Sequence, residues 1–196
     1  MLTLVRGQTI ALRQETGNQA LSKITMGLGW DPIKPKGFFA TLLSGNKNID
    51  LDASCALFDA DKKPLDFIWY NKLKSTDGSI VHTGDNETGS VGGKDAEQII
   101  VDLQTVPFNV KYLVFTVNSF EGHTFNEIDN AYCRVVNNAN GQEIARYELS
   151  GGGNHTAMVM AKLSRDSKGE WEMLALGEST VGQEVSELIP TIVSLL

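Results

Sequence analysis

The sequence predicts an all-β protein, an antiparallel β-sandwich of two packed sheets with a short C-terminal helix. Three observations predict it. Short runs along the chain alternate apolar and polar side chains with the period of two that marks a half-buried strand. Turn chemistry separates the runs, at Asp77-Gly78, Asn140-Gly141, Gly151-Gly152-Gly153 and Lys168-Gly169. No long helical pattern stands between them, as a parallel sheet would require. No internal repeat and no linker divides the 196 residues, so one domain over 1–196 is expected.

The elements follow in order. Leu2 to Leu12 alternates around a turn at Gly7, and Leu21 to Trp30 sets Ile24, Met26, Leu28 and Trp30 on one face. In Ile49–Phe58, Ile49, Leu51, Ala53, Cys55 and Leu57 share one face while Asp50, Asp52 and Ser54 share the other. Further strands are expected at Leu65–Asn71, Ile80–Thr83, Gln98–Leu103, Tyr112–Ser119, Ala131–Asn137, Glu143–Leu149, Thr156–Leu163 and Trp171–Gly177. Only the tail has helical spacing, at Val185, Leu188, Ile189, Ile192 and Val193, with Pro190 placed to kink or restart it. Two loops stand out. One, Pro32–Asn48, carries the apolar stretch Phe38–Leu43, which either folds over one end of the sandwich or forms a docking patch. The other, from Asn71 to Glu97, is rich in Gly, Asp and Asn.

Charge narrows the function. The formal net charge is −7, from 17 Lys and Arg against 24 Asp and Glu, which opposes contact with a phosphate backbone and excludes a general nucleic-acid binder. The acidity is local. Between Asp77 and Glu97 five carboxylates (Asp77, Asp85, Glu87, Asp95 and Glu97) face one Lys94, and five glycines interleave them. Carboxylates held this close repel unless protons or a cation neutralise them. Asp77, Asp85, Asn86, Asp95 and Glu97 offer the oxygen-only donor set that Ca2+ prefers, with more tolerance of irregular geometry than Mg2+ allows. The alternative is a solvated acidic loop. Asn46-x-Asn48-x-Asp50-x-Asp52 alternates oxygen donors but lacks the glycine and the glutamate of an EF-hand.

Five ordered motifs carry a family resemblance over nearly the whole chain: GLGWDP (Gly27–Pro32), IDLDASC (Ile49–Cys55), LKSTDGSIVHTGDNETG (Leu73–Gly89), AYCRVVN (Ala131–Asn137) and EIARYEL (Glu143–Leu149). Together they resemble the TerD family of tellurium-resistance and stress proteins. The insertion after GLGWDP and the stretch Phe115–Val135 are most similar to its TerZ-like branch. The resemblance implies a β-sandwich that binds one or two Ca2+ ions through acidic loops. Its partners would be other Ter-system proteins, membrane-associated ones among them. By the same resemblance the candidate ligands are Asp31, Asn71, Asp77, Asp85, Asn86, Asp95 and Glu97, with Asp50 and Asp52 added from the DLDAS strand. The chain departs from the family pattern in Val91–Glu97, where Lys94 and Ala96 replace acidic positions and leave the number of ions open.

The sequence offers little for catalysis, and a non-enzymatic protein is expected. His82, His123 and His155 form no metal-ligand spacing, and no serine elbow occurs. Cys55 and Cys133 lie on apolar strand faces and read as reduced, buried thiols, with a thiol-dependent redox protein acting on tellurite or another oxidant as the competing reading. The start of the chain lacks the apolar region of a signal peptide, and no apolar run reaches the ~20 residues of a membrane span. A cytoplasmic protein is expected, with peripheral contact at the inner membrane face left open.

Overall fold

The computed structural model describes residues 9–11, 22–31, 49–90, 92–151 and 153–196. Among the described residues, eleven strands form two antiparallel sheets. The first has the order β1-β11-β10-β7-β3-β4, built from β1 (Thr9–Ala11), β3 (Leu51–Phe58), β4 (Pro64–Ile68), β7 (Tyr112–Ser119), β10 (Ala157–Arg165) and β11 (Trp171–Thr180). The second has the order β5-β6-β2-β8-β9, from β2 (Lys23–Gly29), β5 (Ile80–His82), β6 (Glu97–Asp102), β8 (Tyr132–Asn137) and β9 (Gln142–Glu148). The expected sandwich is therefore present, and its strands fall where the alternation placed them. The Phe38–Leu43 stretch lies outside the described residues, as does most of Leu2–Leu12.

The period of two builds the core. From β2, Ile24, Met26 and Leu28, with Trp30 just beyond, turn inward to meet Leu51, Ala53, Cys55 and Leu57 of β3, all within 1% of complete burial. On the outer face of β2 the residues are small for a reason. A Cβ at Gly27 would lie 2.4 Å from Asp95 Oδ2, and one at Gly29 would lie 2.6 Å from the Tyr132 ring. Glycine here lets two functional-looking side chains lie flat on the second sheet.

One strand departs from expectation. The sequence reads β3 as half-buried, yet all eight of its residues are buried. The cause is the C-terminal tail. A 3-10 turn, Val185–Leu188, leads into helix α1 (Ile189–Leu195), and Pro190 sits in the first turn of α1, where a missing N–H costs nothing. Val185, Leu188 and Ile192 pack with Ala56 and Phe58 on the outer face of β3 and with Val159 on β10, forming a second apolar cluster. Asp52 and Ser54, which the alternation also sends to that outer face, are buried as well.

Candidate metal centre

Sheet register assembles the centre. In the β3–β7 pair, Asp52 stands opposite Asn118 and Leu51 opposite Ser119, so the β7–β8 loop begins beside Asp50, whose carbonyl accepts from Phe120 N at 3.1 Å. The β5–β6 loop brings Asp85 to the same place. Ligand oxygens of Asp50, Asp52 and Asp85 lie within 4.8 Å of one another. Asp52 is 3% exposed, Asp50 is half-buried and Asp85 is exposed, so the cluster grades from the protein interior to solvent.

The electrostatics are those of an uncompensated anion cluster. Burial, then Asp85 and other carboxylates, raise the Asp50 carboxyl to about 6. Burial, then Glu97, Asp50 and Asp85, raise Asp52 to about 8. Among the described residues, the leading charged neighbours of the pair, Glu87, Glu97, Glu121 and Glu184 included, are carboxylates. Asn118 Nδ2 donates to Asp52 Oδ2 at 3.2 Å and also to the Gln183 carbonyl, which ties the site to the C-terminal tail. Asp50 Oδ1 and Asn118 Oδ1 are buried acceptors without a hydrogen-bond donor among the described residues. A divalent cation would supply what these carboxylates lack, namely positive charge and a demand for oxygens.

Glu97 holds the loop in place without facing solvent at all, at 0% exposure. Strand β4 reaches only to Ile68, opposite Cys55, so the amide of Ala53 has no strand partner on that edge. Glu97 Oε2 accepts it at 2.8 Å across the two sheets, and Oε1 accepts Asn86 N at 3.1 Å. His82 Nε2 lies 3.4 Å from Oε2, while its Nδ1 accepts Gly84 N at 3.1 Å. The next turn is closed by Asn86 Oδ1, which accepts Thr88 N at 3.0 Å and Gly89 N at 2.9 Å. Gly89 has φ 76°, and a Cβ there would lie 2.6 Å from the Trp30 carbonyl, so only glycine fits.

The remaining candidates from the sequence occupy other places. Asp95 lies on the outer face of the second sheet, gripped by Arg134 Nε at 2.8 Å and Nη2 at 2.9 Å, with Tyr132 and Gln98 as further donors. Asp77 closes its own turn by accepting Ser79 N at 2.8 Å. Asn71 is exposed in the tight turn bracketed by the Trp69–Lys72 bridge. Asp31 accepts Asn130 Nδ2 at 2.8 Å and lines a separate cavity of about 340 Å3 that also holds Lys94 and Arg146. Asn86 and Glu97 organise the loop, leaving Asp50, Asp52 and Asp85 as the group brought together.

The sequence did not reveal Tyr70 and Phe120, which with Glu87 complete a cavity of about 220 Å3 over the cluster. Their ring centroids stand 5.8 Å apart, edge to face, and Tyr70 Oη donates to Glu184 Oε1 at 3.2 Å. No local signal marks them, since Phe120 meets Asp50 only through the register of β3 and β7.

The thiols are remote from reactivity. Cys55 and Cys133 are free and buried, and burial pushes both well above the ordinary thiol range. A thiol in such surroundings is rarely the thiolate that redox chemistry needs. Neither is expected to react with a disulfide reagent in the native protein near pH 8, whereas both should react after denaturation. A thiol count by absorbance checks this, and rapid native labelling would contradict it. No helix among the described residues is long and apolar enough to cross a membrane.

Comparisons with known proteins agree with this architecture. The TerD domain model matches residues 1–190. The chain is 48% identical over 194 residues to tellurium resistance protein TerZ of Serratia marcescens, covering 99% of this chain and 98% of that protein. It is 40% identical to stress response protein SCP2 of Bacillus subtilis, covering 96% and 97% respectively. Among solved structures, a TerD homologue from Streptomyces coelicolor superposes with a TM-score of 0.72 at 19% identity, covering 87% of this chain and 96% of that one.

Proposed function

The chain belongs to the TerD family, and from that premise we propose that it is a cation-responsive protein of tellurium resistance and the general stress response. The observation that carries this reading is the convergence of Asp50, Asp52 and Asp85, whose leading charged neighbours among the described residues are carboxylates. The resident ion we assign is Ca2+. Three carboxylates and a roomy, half-open cavity suit a cation that takes six to eight oxygens in irregular geometry, waters completing the shell. Mg2+ holds its waters in a stricter octahedron and fits the same donors less well.

The protein acts by binding, not by catalysis. Ca2+ draws Asp85 toward the buried Asp50–Asp52 pair, neutralises them and orders the β5–β6 loop. Loading thereby sets which surface the protein presents to other Ter-system proteins, at the membrane face or in the cytoplasm. One ion at this cluster is the expected stoichiometry, because Asp95 is committed to Arg134.

Calorimetric titration with Ca2+ after chelation tests the assignment. Asp85→Ala is expected to weaken Ca2+ binding at least about tenfold, the ~1.4 kcal/mol that one lost charged ligand readily exceeds. Since Asp85 is exposed and repels Asp50 and Asp52, the cation-free melting temperature should not fall and should rise slightly near pH 8. No heat and no thermal shift at millimolar Ca2+ in the parent protein would remove the reading. Equal affinity for Mg2+ would remove the choice of ion.

A further inference from the structure

We propose that the cavity over the cluster also seats an alkylammonium or guanidinium group, in competition with the divalent cation. This rests on the reading of Asp50, Asp52 and Asp85 as a cation centre and adds a second class of ligand to it.

The wall of the cavity carries the inference. A metal ion needs oxygens, and Asp50, Asp52, Asp85 and Glu87 supply them, but the rest of the lining is the rings of Tyr70 and Phe120. Aromatic faces attract organic cations and do nothing for a hydrated metal. The two rings stand edge to face with an interplanar angle of 78°, and Phe120 is 39% exposed, so an aromatic wall stands beside the exposed carboxylates Asp85 and Glu87 while Asp52 lies deepest. At about 220 Å3 the space exceeds by several fold the ~30 Å3 share of one water, leaving room for a side-chain head group.

An orphaned acceptor points the same way. Asp50 lines the cavity, and its Oδ1 is buried without a donor among the described residues. An ammonium brings three N–H donors and a guanidinium five, with no acceptor of their own. Charge selects the same occupant. Among the described residues, Glu87, Glu121 and Glu184 add their charge to that of the metal-free cluster. A basic group complements that surface, whereas an anionic lipid surface is repelled. The metal and the organic cation use the same carboxylates, so each excludes the other. A partner's basic segment held by the metal-free protein is released when the ion loads.

Titration calorimetry on the full chain tests this, with acetyl-Gly-Arg-Gly-amide, acetyl-Gly-Lys-Gly-amide and spermidine as probes after chelation. At least one probe is expected to bind, and saturating Ca2+ should weaken it about tenfold or more. Phe120→Ala should weaken the probe about fivefold, the effect of one lost cation–π contact, and leave Ca2+ affinity within about twofold. Circular dichroism of this surface variant verifies that it is folded. Binding by a peptide assigns the group to a partner's side chain, and binding by spermidine alone assigns it to a free polyamine. The inference is overturned if no probe binds up to about 10 mM. It also fails if Phe120→Ala leaves probe affinity unchanged, or if bound Ca2+ leaves it undiminished. Ca2+ binding without probe binding overturns this inference alone. Probe binding without Ca2+ binding overturns the metal reading and leaves the organic-cation seat standing.

Discussion

Stripped of divalent cations, the protein is expected to melt at a falling temperature as the pH rises from about 5 to about 8, and Ca2+ should abolish that fall. The sign follows from the two carboxyls. In the folded protein Asp50 titrates near 6 and Asp52 near 8, against 3.8 for an unperturbed aspartate. Between those values the native state binds more protons than the unfolded chain, so stability decreases with pH. The loss begins above the unfolded value near 3.8 and is complete only above the Asp52 value near 8. Ionising Asp52 in the empty site costs on the order of a few kcal/mol. For a chain of this length, each kcal/mol moves the melting temperature by roughly 2–4 °C, so a decline approaching 10 °C is expected. A bound cation removes the repulsion. At a hundredfold excess over its dissociation constant it adds about 2.7 kcal/mol of its own.

Thermal melts in chelator and in Ca2+ across that pH range check the expectation. Asp52→Asn isolates the cause. It should flatten the chelator series, raise the cation-free melting temperature near pH 8, and eliminate the response to Ca2+. A parent protein whose melting temperature rises with pH in chelator, in step with Asp52→Asn, would show that the cluster is not charged against its own burial.

The strands were legible because alternation is a local property. Ile24, Met26 and Leu28 on β2 and Leu51, Ala53 and Cys55 on β3 declare their inward face without knowledge of what they meet. Pro190 likewise declared the start of α1. What lay beyond the sequence was everything set by a distant neighbour. The outer face of β3 looked solvent-facing, and only the tail that folds back from Val185 to Leu195 makes it interior. Asp52, on the same face, is buried too.

The acidic loop shows the same limit. Its carboxylates are close in sequence, so composition grouped Asp77, Asp85, Asp95 and Glu97 into one set of ligands. Backbone direction separates them. Asp77 satisfies its own turn, and Asp95 enters the outer face of the second sheet to meet Arg134, 39 residues along the chain. Asp85 instead joins two aspartates of the opposite sheet. The partners that complete the cavity, Tyr70 and Phe120, carry no charge and no motif, so only register discloses them.

Glu97→Ala is expected to be the most damaging single substitution at this end of the sandwich. Glu97 is a fully buried carboxylate whose two oxygens serve different elements, Ala53 N on β3 and Asn86 N on the loop. Removing it leaves two amide donors without acceptors and opens a cavity beside His82. An unsatisfied buried donor costs about 1–3 kcal/mol, in full for Ala53 N and in part for the half-buried Asn86 N, so a total loss on the order of 3 kcal/mol is expected. Because Asn86 is the anchor and Asp85 its neighbour, the loss extends to cation binding, although Glu97 itself need not touch the ion. Glu97→Gln separates the two roles. Its single amide oxygen satisfies one of the two donors, and its NH2 group confronts the other, so the fold should survive with a smaller loss while the loop is released. Denaturant unfolding of both variants gives the stability order, parent above Gln above Ala, and titration calorimetry gives Ca2+ affinity. Retention of parental Ca2+ affinity by a folded Glu97→Gln would show that Asp85 reaches the cluster without this anchor. The β5–β6 loop would then be organised by its own Asn86 turn and by the contact of Gly89 with Trp30.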